Sequence, residues 1–193
     1  MEAAGAGFRP VARHELEAVQ AMAARIWWAC YRGMVSDEQI GRMLAWMYDP
    51  ARVLAEMDAG VRWEWLEVLG VPRGYLAWEP DGEGAHLHKL YLERPWHGQG
   101  LGQRMLEHVA RQARACGCRR IELRVNRRND RALRAYRRAG FEHVADDVRD
   151  IGDGFVMDDH ILRLTLDDAR PVPSDPAVPM APAPHPPGAP GLP

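Results

Sequence analysis

Lysine is almost missing from this 193-residue chain: Lys89 is the only one among 25 basic residues, and the others are arginine. Any chemistry that requires a lysine amine therefore has a single candidate. Cysteine is scarce as well. Cys30, Cys116 and Cys118 are an odd number in a chain whose first residues lack the basic start and apolar centre of a secretory leader, so a disulfide framework is not expected and a reducing, cytoplasmic compartment is. Cys116 and Cys118 flank Gly117 at an expected helix end without further ligands nearby, which reads as free thiols at a turn and not as a metal site. No apolar run approaches the roughly 20 residues of a membrane span. A formal net charge of -2 and a pI near 6.4 give no field that would hold nucleic acid, so neither nucleic acid nor membrane is expected as a partner.

What is present suits one globular domain and a tail. Hydrophobic residues make up 47% of the chain, enough for a substantial core. From Pro171 to Pro193 the composition turns to proline, alanine and glycine, with ten of the 15 prolines. Such a segment cannot bury a core, so residues 1–170 are read as the domain and 171–193 as a disordered tail.

Periodicity places the elements. A short strand is expected at 8–12, then an amphipathic helix from His14 to Trp28 with Leu16, Val19, Ala23, Ile26 and Trp27 on one face. Ser36 and Gln39 form a capping box ahead of Ile40, Met43, Leu44 and Met47, a helical stripe that should stop before Asp49-Pro50. Strand-like runs follow at 51–57, 61–69 and 74–79, and Asp81-Gly82 turns the chain into a central strand at 85–92. Helix 101–115 and strand 119–125 complete a crossover whose flanking strands should be parallel. Asn129 caps a further helix that ends at Gly140, and strands near 141–148 and 155–166 finish the sheet. The fold class is α/β, with a mixed, mostly antiparallel sheet.

One stretch organises the rest: HLHKLYLERPWHGQGLG, ending at Gly102, runs from a strand into a glycine-rich loop that opens directly into a helix. Gly98, Gly100 and Gly102 let the backbone approach an anion and aim successive N–H groups at it, while the helix N-terminus adds partial positive charge. It is not a GxxxxGK[ST] loop, because Gly102 is followed by Gln103 and Arg104. The dinucleotide fingerprint fails too, since the next strand leads to Asn126 and Arg127 where an acid is needed.

HGQGLG at 97–102 resembles the (Arg/Gln)-x-x-Gly-x-(Gly/Ala) pyrophosphate loop of the GNAT acyl-CoA N-acyltransferases, with His97 in first position. NDRALRAYRRAGF at 129–141 resembles their second signature, an asparagine opening a helix, then a tyrosine, then Gly-Phe. The resemblance covers roughly residues 8–166 and is strongest from 86 to 141. It implies acetyl-CoA as co-substrate, direct transfer of the acetyl group to an amine, and no metal. Residues His97, Gly98, Gln99, Gly100, Leu101, Gly102 and Gln103 would hold the pyrophosphate. Main-chain groups of Leu90, Tyr91 and Leu92 would pair with the pantetheine arm, and Tyr136 would be the general acid. Asn129 reads equally as a helix cap or as a cofactor contact.

A tyrosine near pKa 10 against a thiol near 8.5 makes proton transfer to the leaving sulfur uphill by only about 2 kcal/mol. Deprotonating the acceptor is harder, because an alkylammonium near pKa 10.4 is only about 0.1% neutral at pH 7.4. His86 and His88 lie two apart on a strand and share a face. Their HLH stretch resembles that of the arylalkylamine N-acetyltransferases, whose paired histidines serve amine deprotonation; the glutamate base of histone-type relatives falls on His86. Both are expected to act through water. His97 offers less charge to pyrophosphate than arginine would, so cofactor binding should be weaker and tighten below about pH 6.5.

The acceptor is expected to be a small-molecule amine, with a protein amine as the other option. A non-catalytic CoA-binding sensor stays open as a reading of another class, and so does a homodimer, which is frequent in the family. Most of the aromatics Trp27, Trp28, Tyr31, Trp46, Tyr48, Trp63 and Trp65 are expected in the core, with some free to line an aromatic pocket. Asp153, Asp158 and Asp159 could draw in a cationic amine or could sit on a solvated turn.

Overall fold

A computed structural model describes residues 5–152 and 154–166; the proline-rich segment and Asp153 lie outside the described residues. The strands are β1 (Ala6–Pro10), β2 (Arg62–Val68), β3 (Val71–Asp81), β4 (Gly84–Leu92), β5 (Arg120–Asn126), β6 (Glu142–Asp150) and β7 (Val156–Thr165). The helices are α1 (Leu16–Tyr31), α2 (Asp37–Met47), α3 (Pro50–Asp58), α4 (Leu101–Ala115) and α5 (Asp130–Arg138). The strands form one sheet in the order β1-β2-β3-β4-β5-β7-β6. Only β4 and β5 run parallel; every other neighbouring pair is antiparallel, as the sequence leads one to expect.

Both faces of the sheet are covered, and the sequence periods show why. On one face Leu76, Trp78, Leu87, Ile121 and Leu123 meet Leu101, Met105 and Val109, the apolar stripe of α4, with Leu133 of α5. On the other, Trp63, Trp65, Tyr75 and Ala77 meet Val19, Ile26 and Trp27 of α1, Ile40 and Met43 of α2, and Val53 of α3. Tyr48 is buried at the centre of this second core. Its hydroxyl lies 2.6 Å from that of Tyr75 and accepts from Trp27 Nε1 at 3.2 Å, so the polar atoms of these rings satisfy one another. The large aromatics of the N-terminal half are thus mostly core; Trp46 at 41% exposure is the exception.

Residues 51–57 are a helix and not the strand that their pattern suggests. Asp49-Pro50 both ends α2 and starts α3: Asp49 accepts a hydrogen bond from the Arg52 amide at 3.0 Å, and Pro50 sits in the first turn, where its missing N–H costs nothing. Val53 and Met57, four residues apart, both face the second core. The segment is an α-helical wall of the later pocket, so this misreading matters for the site.

The cap gives a direct check. Asp49→Ala should cost about 1 kcal/mol and lower the thermal midpoint by roughly 2–4 °C. An unchanged midpoint would mean that Pro50 alone starts α3.

Candidate active site

The site begins where two strands part. Pairing of β4 with β5 runs from Gly84↔Arg120 to Leu87↔Leu123 and stops there. From His88 to Leu92 the β5-facing edge of β4 therefore has no strand partner, while its other edge stays bonded to β3. A bulge coincides with the parting: Trp78 pairs with Leu87 and Ala77 with Lys89, so His88 is the extra residue. The bulge resets the side-chain alternation. Leu87 packs on the α4 face, whereas Lys89 and Tyr91 turn to the α1 face. A cavity of about 820 Å³ opens between the parted strands.

At one end of it stands the anion cradle. Gly98 and Gly100 hold φ of 76° and 79°, the left-handed region that side chains resist, and Gly100 is the N-cap of α4. The first intrahelical bond at this end is Arg104 N to Gly100 O at 3.0 Å, and no side chain caps the helix. The amides of Leu101, Gly102 and Gln103 are therefore left to point at a ligand. A Cβ on Gly102 would meet nothing within 4 Å, so the fold itself does not demand glycine there; the space suits a phosphate. Gly98, Gly100, Gly102, Gln103 and His97 line the cavity, as do Leu90, Tyr91 and Leu92. Two expected contacts are backbone only: the Leu101 side chain is buried in the core, and Gln99 turns its amide onto Pro95 O at 3.0 Å.

His97 differs from the sequence expectation. Its Nε2 lies 2.8 Å from Leu92 O and its Nδ1 2.6 Å from Arg131 Nη1. The guanidinium can only donate, so Nδ1 accepts, Nε2 carries the proton, and the ring is neutral. Burial first, and then Arg131 and Arg94, lower the His97 pKa, which moves any protonation further into acid than pH 6.5. Arg131 stands beside the loop and supplies the positive charge that His97 lacks. Sequence reasoning missed it, because the contact joins residues 34 positions apart and nothing local marks it.

Tyr136 lies on α5, half-buried, with its ring 5.6 Å from that of Phe141. Burial raises its pKa, helped by Tyr31 and Cys30 nearby. It stays protonated at any working pH, and full transfer to a thiolate is costlier than the sequence-based 2 kcal/mol, so its role would be to donate a hydrogen bond to sulfur. Asn129 proves to be the cap: Oδ1 accepts from Ala132 N at 3.2 Å, while Nδ2 lies 3.9 Å from Cys30 Sγ on α1. It also lines the cavity.

His86 and His88 come together, ring centroids 4.4 Å apart. His88 Nε2 lies 2.9 Å from Glu79 Oε1, which fixes Nε2 as the donor and leaves Nδ1 free to accept. Arg124 Nη1 lies 3.5 Å from His86 Nε2. Burial pushes both rings down to about 4, with His88 and Arg124 adding to it at His86 and Lys89 at His88. Glu79 opposes the shift at His86 and Glu56 opposes it at His88, and both rings stay neutral at working pH. Lys89, the lone lysine, is 5% exposed, with Nζ 3.4 Å from Glu56 Oε2 and 4.5 Å above the Trp63 ring; it ties β4 to α3.

The cavity is also walled by Trp27, Tyr31, Met43, Trp46 and Met157. Asp159 of β7 lines it too, at 4% exposure. Its sequence neighbours gave no sign of this, because the alternation of a short terminal strand does not say which face is covered.

Strands that part beside an amide cradle, with a tyrosine behind them on the next helix, define a GNAT-type domain. The chain belongs to the acetyltransferase (GNAT) family, whose model matches residues 21–141. It is 31% identical over 121 residues to a mycothiol acetyltransferase of Propionibacterium freudenreichii subsp. shermanii, a match covering 60% of this chain and 35% of that protein. It is 37% identical over 62 residues to an uncharacterized N-acetyltransferase of Mycobacterium bovis, covering 32% of this chain and 40% of that one. The matches thus span well under half the length of these curated relatives. Among solved structures, the PaiA N-acetyltransferase of Thermoplasma acidophilum in complex with coenzyme A superposes with a TM-score of 0.72 at 20% identity, over 83% of this chain and 99% of that one. A GCN5-related N-acetyltransferase of Rhodopseudomonas palustris gives 0.71 at 19% identity, over 86% and 99%.

The His97–Arg131 contact is open to test. In an NMR titration His97 should titrate below 6.5, and Arg131→Ala should move it upward and weaken CoA binding about tenfold. Unchanged CoA affinity in that variant would remove Arg131 from the cradle.

Proposed function

We propose that this domain is an acetyl-CoA-dependent N-acetyltransferase that passes the acetyl group directly to a primary amine, a small molecule in preference to a protein. The observation that carries the reading is the open edge of β4 from His88 to Leu92, which runs between the amide cradle and Tyr136. Family membership and the CoA-bound relative support it. When bound, acetyl-CoA supplies an activated thioester. The amides of Leu101, Gly102 and Gln103, with Arg131 beside them, hold its pyrophosphate. Main-chain groups of Leu90, Tyr91 and Leu92 hold its arm along the open edge, and a backbone N–H there faces the carbonyl oxygen on which charge develops.

Tyr136 donates its hydroxyl proton toward the departing sulfur. On the acceptor side, His88 and His86 pass the amine proton to water. A pKa near 4 against 10.4 places the proton about 9 kcal/mol uphill on either ring, so the histidines relay it and do not store it. Their neutrality at working pH leaves each with one accepting and one donating nitrogen, which a relay requires. An acceptor pocket walled by Trp27, Tyr31 and Trp46 favours a compact amine over an extended polypeptide.

Thiol release from acetyl-CoA should appear with at least one amine class. In Tyr136→Phe it should fall tenfold or more while CoA binding stays within about threefold. Full activity in the variant would take the acid role from Tyr136. CoA binding without turnover by any amine in the wild type would leave the sensor reading in its place.

A further inference from the structure

Asp159 is the buried acid that the scheme above does not use. It lies on β7 facing Asn126 of β5 and Asp147 of β6 across the sheet, and it is 4% exposed while lining the cavity. Among the described residues its carboxylate takes part in no hydrogen bond or ion pair, unlike its neighbours. Asp147 is held by Arg124 Nε at 2.7 Å and Arg149 Nε at 2.9 Å. Arg127 forms an ion pair with Asp158, Nε lying 2.6 Å from Oδ1. A carboxylate largely withdrawn from water and with no hydrogen-bonded partner is costly to keep ionised, and a cation entering the cavity offsets that cost.

The charges around it say which cation. Asp147 is shared between two guanidiniums, and Glu56 between Arg52 at 3.2 Å and Lys89 at 3.4 Å. Each cluster carries a surplus of positive charge on the cavity wall. Among the described residues, Asp159 is the one anionic group on that wall outside these clusters. A ligand with one ammonium can meet Asp159 and keep the remainder of its body against Trp27, Tyr31 and Met157. A second ammonium would have to face arginine or Lys89.

We propose that Asp159 is the ammonium subsite of the acceptor pocket and that it selects primary amines with a single cationic centre over di- and polyamines. The inference rests on the acetyltransferase reading and names its substrate class. Facing Asp159 are Arg149 and Asp147 from β6, Arg124 from β5, Asp158 on its own strand and, from α1, Tyr31 with Cys30 beside it. Burial, with Asp147 and Asp158, raises its pKa to about 6 against the opposing pull of Arg149 and Arg124. The subsite is therefore charged above that pH and loses its charge as pH falls through it, whereas an alkylammonium stays charged throughout.

Calorimetric titration of CoA-saturated protein with a panel of monoamines led by phenethylamine, and with putrescine, tests this in wild type, Asp159→Asn and Asp159→Glu. The expected result is wild-type binding of at least one monoamine tenfold or more tighter than that of putrescine, weakening below about pH 6. Asp159→Asn should lose tenfold or more and become flat with pH, Asp159→Glu should recover part, and all three should bind CoA alike. Equal monoamine binding by wild type and Asp159→Asn would overturn the proposal. So would a preference for putrescine, or no amine binding by CoA-loaded wild type. Thiol release measured alongside separates the two readings. Amine binding that depends on Asp159 without any turnover keeps the subsite and rejects acetyl transfer. Turnover with unchanged KM in Asp159→Asn does the reverse.

Discussion

The parting of β4 from β5 after Leu87 and Leu123 is the constraint on which the rest depends. A paired strand has its amides and carbonyls consumed by its neighbours, and an unpaired strand inside a sheet would leave them unsatisfied. Here one edge of β4 stays on β3, so the strand is held, while the other is free to pair with a ligand. The bulge at His88 makes this workable. It lets Leu87 remain in the core under α4 and still brings Lys89 and Tyr91 around to the α1 face, where the first is clamped by Glu56 and the second reaches Tyr31 at 3.4 Å. Without the extra residue, Lys89 would point into the α4 core and Leu90 and Leu92 would turn away from it.

Electrostatics follows the same division. The chain is close to neutral as a whole, but its cavity is not uniform. At the cradle, positive charge comes from backbone dipoles and Arg131, and the imidazole beside them is held neutral. Beside Glu79 and Lys89, His86 and His88 are uncharged because burial and neighbouring cations disfavour a further charge. Near Tyr31, the Asp159 carboxylate stands by arginine clusters already tied to Asp147 and Glu56. The cavity wall thus offers a cationic, a neutral and an anionic region, which suit a polyphosphate, a reacting centre and an ammonium in the reading proposed above.

The cradle, the tyrosine and the paired histidines were legible because each depends on local chemistry: glycines where φ must be positive, a capping asparagine, a strand that puts alternate residues on one face. The family resemblance rested on the same residues. Three things were not legible, and for related reasons. Residues 51–57 carry a pattern short enough to fit either period, and the Asp-Pro pair that decides it was read only as a stop. The neutral state of His97 depends on Arg131, 34 positions away, and nothing local marks that contact. The burial of Asp159 depends on the face that β7 presents once it inserts between β5 and β6, a register that only the assembled sheet defines.

The low basicity of the histidines looks at first like a defect under the proposed acetyl transfer, which requires that a proton be removed from an amine. The free energy of delivering that proton to bulk water at pH 7.4 is roughly 4 kcal/mol whatever the route, since it depends only on the amine pKa and the pH. No intermediate group can reduce it; a group can only add a barrier or avoid one. A strongly basic imidazole would trap the proton next to Arg124 and Lys89, where a further positive charge is least welcome, and would have to release it again before the next turnover. Rings near pKa 4 can pass a proton from one nitrogen to the other without holding it, exchanging tautomer as they do so and resetting before the next turnover. In the proposed scheme the positive surroundings that depress their basicity would keep the relay empty, and the proposed subsite at Asp159 would be where a cation is held.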